Sequence, residues 1–364
     1  MKRGSHDAEN NIRSHFAFSI YLAAVAGSST NNVVISPMGL RTCLSLAYFG
    51  ADGTTEGEIR KCLYLPNSKQ HVAEKLRNFN DSSKSQKAFV MANKISIPKN
   101  VEMKDEFVEK IKIATDEPPL IQDNSSSSIS ELNNIMSVLT NGKFKDVIGT
   151  ENLENAKIIL LSAIYLKATF KKPFDLGHTE LDKFWVNGSN AIEVQMMHTI
   201  DKFRFLELPS LKARVVALPF HLENNLLLFL PDSKTGLRDI EQNLKDVEVF
   251  GISQAMTEKI ISIKLPKFQV DFRMNCMRFK EIFSNSANFK SINENSKINI
   301  SHIFHLAQVK INEVGAETSV PPDSSPDSKN IHHGEQIKFV VDRPFLFVIK
   351  DHRTVQFIGR VIKP

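Results

Sequence analysis

The chain has 364 residues, 41% of them hydrophobic and 24% charged, which is the balance of an ordinary soluble globular protein. Its net charge of +5 comes from 46 cationic and 41 anionic side chains, and without a recognition motif this mild excess predicts no nucleic-acid partner. Three cysteines without a C-x-x-C pair argue against a disulfide framework, and the absence of any run of about 18 apolar residues argues against a membrane span.

The N-terminus is polar, without the apolar run of a signal peptide, and we expect residues 1–10 to be disordered. The compartment stays open: extracellular for a mature secreted form, cytoplasmic if this N-terminus is native. Residues 11–27 carry apolar side chains at helical spacing, which predicts the first helix. Four N-x-S/T sequons decide nothing about glycosylation; they begin at Asn80, Asn124, Asn187 and Asn299.

Two further helix starts are marked by capping residues. Ser36 is a good N-cap, Pro37 suits the first helical position, and Gly50 stands where that helix would stop. Thr55 and Glu58 have the spacing of a capping box and predict the opening of a short helix.

Strands dominate the later part of the chain. Residues 120–130 are a loop by composition, and the nearly continuous apolar run at 157–168 suits a strand buried on both faces. Four later segments also read as strands, at 226–231, 260–266, 345–349 and 355–362. Early helices and late strands without regular alternation predict an α+β fold, and since no linker divides the chain we expect one domain over residues 1–364.

The stretch from Glu313 to Phe345 stands out. Strand-like sequence lies on both sides of about 25 polar residues, whereas most connections span about 4–6 residues. Its interior holds a single lysine, Lys329. A long polar loop of this kind is typical of a functional or disordered segment. With its single lysine, this one resembles a cleavage site for a protease.

A series of motifs, each weak alone, lies in one register along nearly the whole chain. They are 32–37 (NVVISP), 50–55 (GADGTT) with Glu58-Ile59, 92–94 (ANK), 140–143 (TNGK), 162–167 (SAIYLK), 194–197 (VQMM), 218–220 (LPF), 265–268 (LPKF), 312–317 (NEVGAE), 342–347 (DRPFLF) and 357–361 (FIGRV). Together they resemble the serpin family. The resemblance implies three β-sheets, eight or nine helices and an exposed reactive loop at about 313–343. It also implies a suicide inhibitor of serine proteases: the target cleaves the loop and becomes acyl-linked to it, and the freed segment then inserts as a central strand. Such a protein is not an enzyme and needs no cofactor.

The family's cut follows the seventeenth residue counted from the hinge glutamate. With Glu313 as the first, the resemblance places the reactive bond at Lys329-Asn330. A lysine there fits the carboxylate-based specificity pocket of trypsin-like proteases. The alternative interpretation is one lysine in a solvated loop.

Insertion requires alternate side chains to face opposite sides of the sheet. The resemblance implies a hinge of Glu313, Val314, Gly315, Ala316, Glu317, Thr318, Ser319 and Val320. The inward set is uncharged and small or medium in size: Ala316, Thr318, Val320, Pro322, Ser324, Pro326 and Ser328. The outward set is Glu317, Ser319, Pro321, Asp323, Ser325, Asp327 and Lys329.

The loop prolines oppose insertion, because a central strand needs an N–H group at each position. Pro321, Pro322 and Pro326 would each remove a ladder bond, at roughly 1 kcal/mol each. We therefore expect an inhibitor with substantial substrate-like turnover. The alternative is a non-inhibitory serpin with a binding, chaperone or storage role, whose loop is cleaved without trapping.

The family's loop-admission region corresponds to Ser36, Gly39, Ser162 and His305, of which Gly39 and Ser162 depart from the usual residues. Ile135 likewise replaces a usual tryptophan. These departures put the stability of the stressed state in doubt, not the fold.

Two binding interpretations receive little support from the sequence. His302 and His305 form an H-x-x-H that lacks a carboxylate or cysteine partner, so a structural histidine is preferred to a metal site. Some serpins bind heparin through the helix that corresponds to Lys69, His71, Lys75 and Arg77, but here a solvated face is preferred. We expect a monomer whose partner is a trypsin-like serine protease, with neither membrane nor nucleic acid.

Overall fold

The structure is a computed structural model that describes residues 2–26, 30–86, 88–149, 153, 155–275, 282–295, 297–316 and 336–364. The chain divides into two compact units. The first unit consists of Met1–Pro37, Leu166–Phe272 and Gln308–Pro364, and the second unit consists of Met38–Tyr165 and Arg273–Ala307. Because each unit collects distant parts of the chain, no single linker separates them, and the one-domain expectation stays a prediction.

Eight α-helices lie in the described part of the chain. They are α1 (Lys2–Val25), α2 (Pro37–Gly50), α3 (Gly53–Leu63), α4 (Lys69–Gln86), α5 (Asp105–Thr115), α6 (Ser126–Leu139), α7 (Leu237–Asn243) and α8 (Val249–Ala255). Helix α1 begins well before the expected position, since its backbone is helical from Lys2 and residues 1–10 were expected to be disordered. No proline interrupts this segment, so the helix extends through the polar residues. None of the described helices is long and apolar enough to cross a membrane.

The predicted boundaries of α2 are confirmed, because the helix begins at Pro37 and ends at Gly50. The predicted start of α3 is wrong by three residues. The N-cap position is occupied by Asp52, and the hydroxyl of Thr55 accepts a hydrogen bond from the backbone N–H of Asn288 at 2.8 Å. This tertiary partner replaces the local capping box.

Sixteen strands lie in the described residues: β1 (Val33–Ile35), β2 (Phe89–Pro98), β3 (Leu120–Gln122), β4 (Ile158–Leu166), β5 (Ala168–Thr169), β6 (Glu180–Trp185), β7 (Ala191–Leu208), β8 (Ala213–Pro219), β9 (Asn225–Pro231), β10 (Thr257–Pro266), β11 (Phe268–Asn275), β12 (Ile300–Ile311), β13 (Gly315–Ala316), β14 (Ile337–Val340), β15 (Phe345–Lys350) and β16 (Val355–Val361). All five strands predicted from composition and apolar runs are present. The predicted α+β class is confirmed.

The first unit contains a nine-stranded sheet in the order β1-β16-β15-β9-β8-β7-β10-β14, with β6 paired to β7. The 18-residue strand β7 pairs with β6 near its start and with β8 near its end, while β10 runs along most of its other edge. One long strand thereby joins what would otherwise be separate sheets. The described strands consequently form two hydrogen-bonded sets rather than the three sheets that the resemblance implied.

In the second unit, β3, β2, β4 and the first part of β12 are neighbours in that order. Helix α6 covers one face of β4 and β12, where its Leu132 and Met136 form an apolar cluster with Leu161 and Phe304. The expectation of a loop over residues 120–130 is only partly met, since β3 and the start of α6 fall inside it. Serine is a good N-cap, and the Ser125 hydroxyl accepts the Ser128 N–H, so the serine run begins a helix.

Candidate functional site

The hinge begins with a buried glutamate held by three groups of the first unit. Glu313 is 4% exposed, and one of its carboxylate oxygens lies 2.6 Å from the Lys267 ammonium. The Thr179 hydroxyl donates to the same oxygen at 2.8 Å, and the Phe174 N–H donates to the Glu313 carbonyl at 2.9 Å. Side chain and main chain are therefore both fixed where β12 ends.

These contacts also set the charge of the glutamate. Burial by itself raises the pKa of a carboxyl group, but the hydrogen bonds from Lys267, from its own backbone and from Thr179 outweigh it. The pKa of Glu313 is consequently lowered from its ordinary value, and the group is ionised at neutral pH.

A tight turn follows the glutamate. The Asn312 side-chain oxygen accepts hydrogen bonds from the N–H groups of Val314 at 3.0 Å and Gly315 at 3.1 Å. Gly315 has φ +139°, and a Cβ there would lie 2.3 Å from the Ala168 carbonyl oxygen. Only glycine fits this position without displacing the backbone.

The turn leads into a strand that has a neighbour on each side. Ala316 pairs with Ile311 of β12 on one side and with Ala168 of β5 on the other, and Gly315 pairs with Thr169. The Ala316 side chain is completely buried. The described end of the hinge therefore lies between two strands as the short antiparallel strand β13.

Two residues of the loop-admission region, Ser162 and His305, are in contact. In the second unit the Nδ1 atom of His305 lies 3.0 Å from the hydroxyl of Ser162, and both side chains are fully buried. Burial lowers the pKa of His305 to about 3, so the ring is neutral at physiological pH. In the first unit the Ser36 hydroxyl donates to the Gln356 carbonyl at 2.6 Å. Gly39 belongs to the second unit and lies in the first turn of α2.

The remaining predicted site residues lie outside the described residues. They are Glu317, Thr318, Ser319 and Val320 of the hinge, Pro321, Pro322 and Pro326, and the reactive bond Lys329-Asn330. Sequence reasoning missed Thr179 and Lys267 as the partners of Glu313. The family motif at 265–268 includes Lys267, but nothing local to it indicates which carboxylate it binds.

The structure also describes the residues considered for a metal site and for polyanion binding. Within the described ranges no group of three or more His, Cys, Asp or Glu side chains could hold a metal ion. The Lys69 ammonium lies 3.7 Å from Asp52 and 3.6 Å from Glu56, so structural partners already occupy it. His71, Lys75 and Arg77 are exposed on α4.

Comparison with known proteins agrees with this geometry. The family described as Serpin (serine protease inhibitor) matches residues 11–364. Serine protease inhibitor 42Dd of Drosophila melanogaster is 26% identical over 360 residues, which are 95% of this chain and 95% of that protein. Corticosteroid-binding globulin of Saimiri sciureus is 27% identical over 378 residues, covering 99% of this chain and 91% of that protein. The crystal structure of Serpin48 from the insect Tenebrio molitor is 22% identical with a TM-score of 0.86, covers 100% of this chain and 99% of that one, and shows the shared fold.

Proposed function

The chain belongs to the serpin family, and we propose that it inhibits a trypsin-like serine endopeptidase as a suicide substrate with Lys329-Asn330 as the reactive bond. The family in general pairs with serine proteases and is not itself catalytic. The specific target, the bond and the trapping step belong to the proposal.

The double pairing of β13 is the observation that carries the proposal. A loop that enters a sheet needs an edge on each side, and the hinge residues Gly315 and Ala316 already have both. Insertion would then extend an existing strand instead of nucleating one. The buried Ala316 and the glycine at 315 are the small residues that such an entrance needs.

The choice of target follows from charge. Lys329 is the only lysine or arginine between Lys310 and Lys338, so a protease with an acidic specificity pocket is the enzyme that this loop fits. The protease attacks the intact loop as it would attack any other substrate. Trapping requires that the acyl-enzyme be displaced before water hydrolyses it, and that makes the speed of insertion decisive.

The test is a denaturing gel of the protein after incubation with a panel of trypsin-like proteases. We expect an SDS-stable band at the summed mass, together with cleaved protein. Lys329→Ala should abolish both, whereas Lys310→Ala at the end of β12 should leave both unchanged. Cleaved protein alone, with no stable complex from any enzyme of the panel, would refute inhibition.

A non-inhibitory serpin is the second candidate, favoured by Pro321, Pro322 and Pro326, which remove N–H groups from the inserting segment. A thermal melt before and after loop cleavage separates the two functions. A large rise in melting temperature means that the segment inserted, and an unchanged melting temperature supports a protein cleaved without trapping.

A further inference from the structure

The sequence contains two Asn-Gly pairs, and one lies at the surface of each unit. Asn187 and Gly188 belong to the turn between β6 and β7, and Asn141 and Gly142 follow α6. All four residues are exposed. Because glycine has no Cβ, it leaves the backbone nitrogen after each asparagine without steric cover. Sequence and exposure therefore treat the two pairs alike, and their hydrogen bonds have to distinguish them.

The side-chain carbonyl of Asn187 is polarised by three donors of its own turn. Its Oδ1 atom accepts hydrogen bonds from the N–H of Ser189 at 3.0 Å, the N–H of Asn190 at 2.8 Å and the hydroxyl of Ser189 at 3.2 Å. Donors aimed at a carbonyl oxygen stabilise the negative charge that develops there when a nucleophile attacks the carbonyl carbon. The turn thus makes the Cγ atom of Asn187 a better electrophile.

The nitrogen that can attack this carbon is the next one in the main chain. The N–H of Gly188 donates a hydrogen bond to no residue in the described part of the chain, so none has to break before the nitrogen loses its proton. Its attack on Cγ closes a five-membered ring, and such intramolecular reactions are fast because the two groups are already held together. The turn therefore contains both an activated carbonyl and an unhindered nucleophile.

The second Asn-Gly pair is held differently. The N–H of Gly142 donates to the carbonyl oxygen of Ser137 at 2.7 Å, at the C-terminal end of α6. The Nδ2 group of Asn141 donates to the hydroxyl of Tyr165 at 3.4 Å. A nitrogen whose hydrogen points at a carbonyl oxygen resists deprotonation, because the resulting anion would face the negative end of that carbonyl. The nucleophile at Gly142 is consequently blocked in the folded chain.

We propose that Asn187 is a site of spontaneous deamidation, and that it converts much faster than Asn141. The deprotonated nitrogen of Gly188 forms a bond to the Asn187 Cγ atom. The bond from Cγ to Nδ2 breaks, and ammonia leaves with the proton that the backbone nitrogen lost. Water then opens the resulting succinimide at either carbonyl, which gives aspartate or isoaspartate. The inference is independent of the proposed function, because neither the reactive loop nor its cleavage enters it.

The two products affect the turn differently. Aspartate keeps a side-chain oxygen that can accept the same three hydrogen bonds, whereas isoaspartate adds a methylene group to the main chain. The turn is closed by the Val186 N–H, which donates to the Asn190 carbonyl at 2.9 Å, next to the Trp185–Ala191 pair that ends the ladder. We therefore expect isoaspartate to loosen this end of the β6–β7 hairpin. Either product lowers the net charge of the chain by one.

The test follows both asparagines in one sample of the full chain. The protein is held in mildly alkaline buffer and digested at intervals, and mass spectrometry measures the fraction of each Asn-Gly peptide that has gained about one mass unit. An isoaspartyl methyltransferase labels the isoaspartate product separately. A second sample is kept unfolded in guanidinium chloride, where both pairs have lost the hydrogen bonds that distinguish them.

In the folded chain we expect Asn187 to convert at least tenfold faster than Asn141, and in the unfolded chain the two rates should agree within about threefold. Gly188→Ala should slow conversion at least tenfold, and the new Cβ fits because its contact with Thr235 Cγ2 is 3.4 Å. Ser189→Ala removes a donor to Oδ1 and should slow conversion at least twofold. Equal rates at the two asparagines of the folded chain would overturn the inference, and so would a rate in Ser189→Ala equal to or above that of the parent.

Discussion

The ammonium of Lys267 lies 2.6 Å from the carboxylate of Glu313, and the glutamate side chain is 5% exposed while the lysine is 31% exposed. This ion pair joins the end of β10 to the end of β12, immediately before the hinge. Since Glu313 also accepts the Thr179 hydroxyl, its charge is satisfied from two sides. The hinge is thus anchored at its first residue.

Removing the lysine should destabilise the fold. Lys267→Ala leaves a buried carboxylate with only the Thr179 hydroxyl and backbone groups, and we expect a loss of about 2 kcal/mol, below the 3–5 typical of fully buried pairs because the lysine is partly exposed. Urea unfolding measures the loss. Lys310→Ala, which removes an exposed lysine, should change stability by less than about 0.5 kcal/mol. Equal effects of the two variants would contradict the anchoring role.

Lowering the pH should weaken the same Lys267–Glu313 ion pair. The pKa of Glu313 is lower in the folded chain than its ordinary value of 4.5. The ion pair therefore contributes fully above about pH 4.5, and the contribution is lost as the pH falls through the folded pKa. In urea melts at a series of pH values, Glu313→Gln should flatten this part of the profile. A variant that keeps the full acid slope below pH 4.5 would assign the slope to other carboxylates.

Gly315 should tolerate no side chain. In Gly315→Ala the new Cβ would meet the Ala168 carbonyl oxygen at 2.3 Å in a backbone of φ +139°, so we expect a loss of about 2 kcal/mol. The Phe170 N–H, which donates to the Val314 carbonyl at 2.8 Å, should exchange faster with deuterium. Gly57→Ala in α3 meets nothing within 4 Å and should stabilise by up to about 1 kcal/mol. Unchanged exchange at Phe170 in Gly315→Ala would contradict the close packing of the turn.

His305 should make stability fall in mild acid. Its pKa is about 3 in the folded chain and 6.5 ordinarily. Between these two pH values the histidine is therefore protonated in the unfolded chain but neutral in the folded chain. Stability should accordingly be about 2 kcal/mol lower at pH 5 than at pH 7.5, because 1.5 pH units at 1.36 kcal/mol each separate pH 5 from 6.5.

Thermal unfolding at the two pH values measures this difference. His305→Gln should remove most of it, although the variant will be less stable overall. His302→Gln, on the same strand and half-buried, is the control and should keep the parent's dependence. If His305→Gln retains the full decrease, the proton is taken up elsewhere.

Lys69 should behave as a structural residue and not as a polyanion contact. Its ammonium also lies 3.3 Å from the Ser291 hydroxyl, and Lys69→Ala should cost about 1–2 kcal/mol in urea unfolding. Lys75→Ala and Arg77→Ala should leave stability unchanged. Salt-sensitive retention on a heparin column that these two exposed variants abolish would contradict the solvated-face interpretation.

Features that depend on neighbouring residues can be predicted from the sequence, whereas contacts between distant parts of the chain cannot. Pro37 and Gly50 specify the start and end of α2 because capping and backbone freedom are properties of neighbouring residues. The capping box predicted at Thr55 does not form, because the Thr55 hydroxyl accepts a hydrogen bond from Asn288, which is distant in the chain. The Lys267–Glu313 pair has the same character, since a single sequence does not show which strand ends meet. The inward and outward alternation expected of the loop follows from the sequence alone, whereas the two strands that flank Ala316 became known only from the structure.

The pairing of β13 also sets a condition on the proposed function. The strand β4 begins at Ile158, ten residues before Ala168, the partner of Ala316. An inserted segment that ran the length of β4 would therefore need about ten residues after Ala316, and the proposed cut after Lys329 would free thirteen, or roughly 43 Å of extended chain. Under the proposed mechanism, the number of residues between the hinge and Lys329 would matter as much as the identity of the residue at the cut.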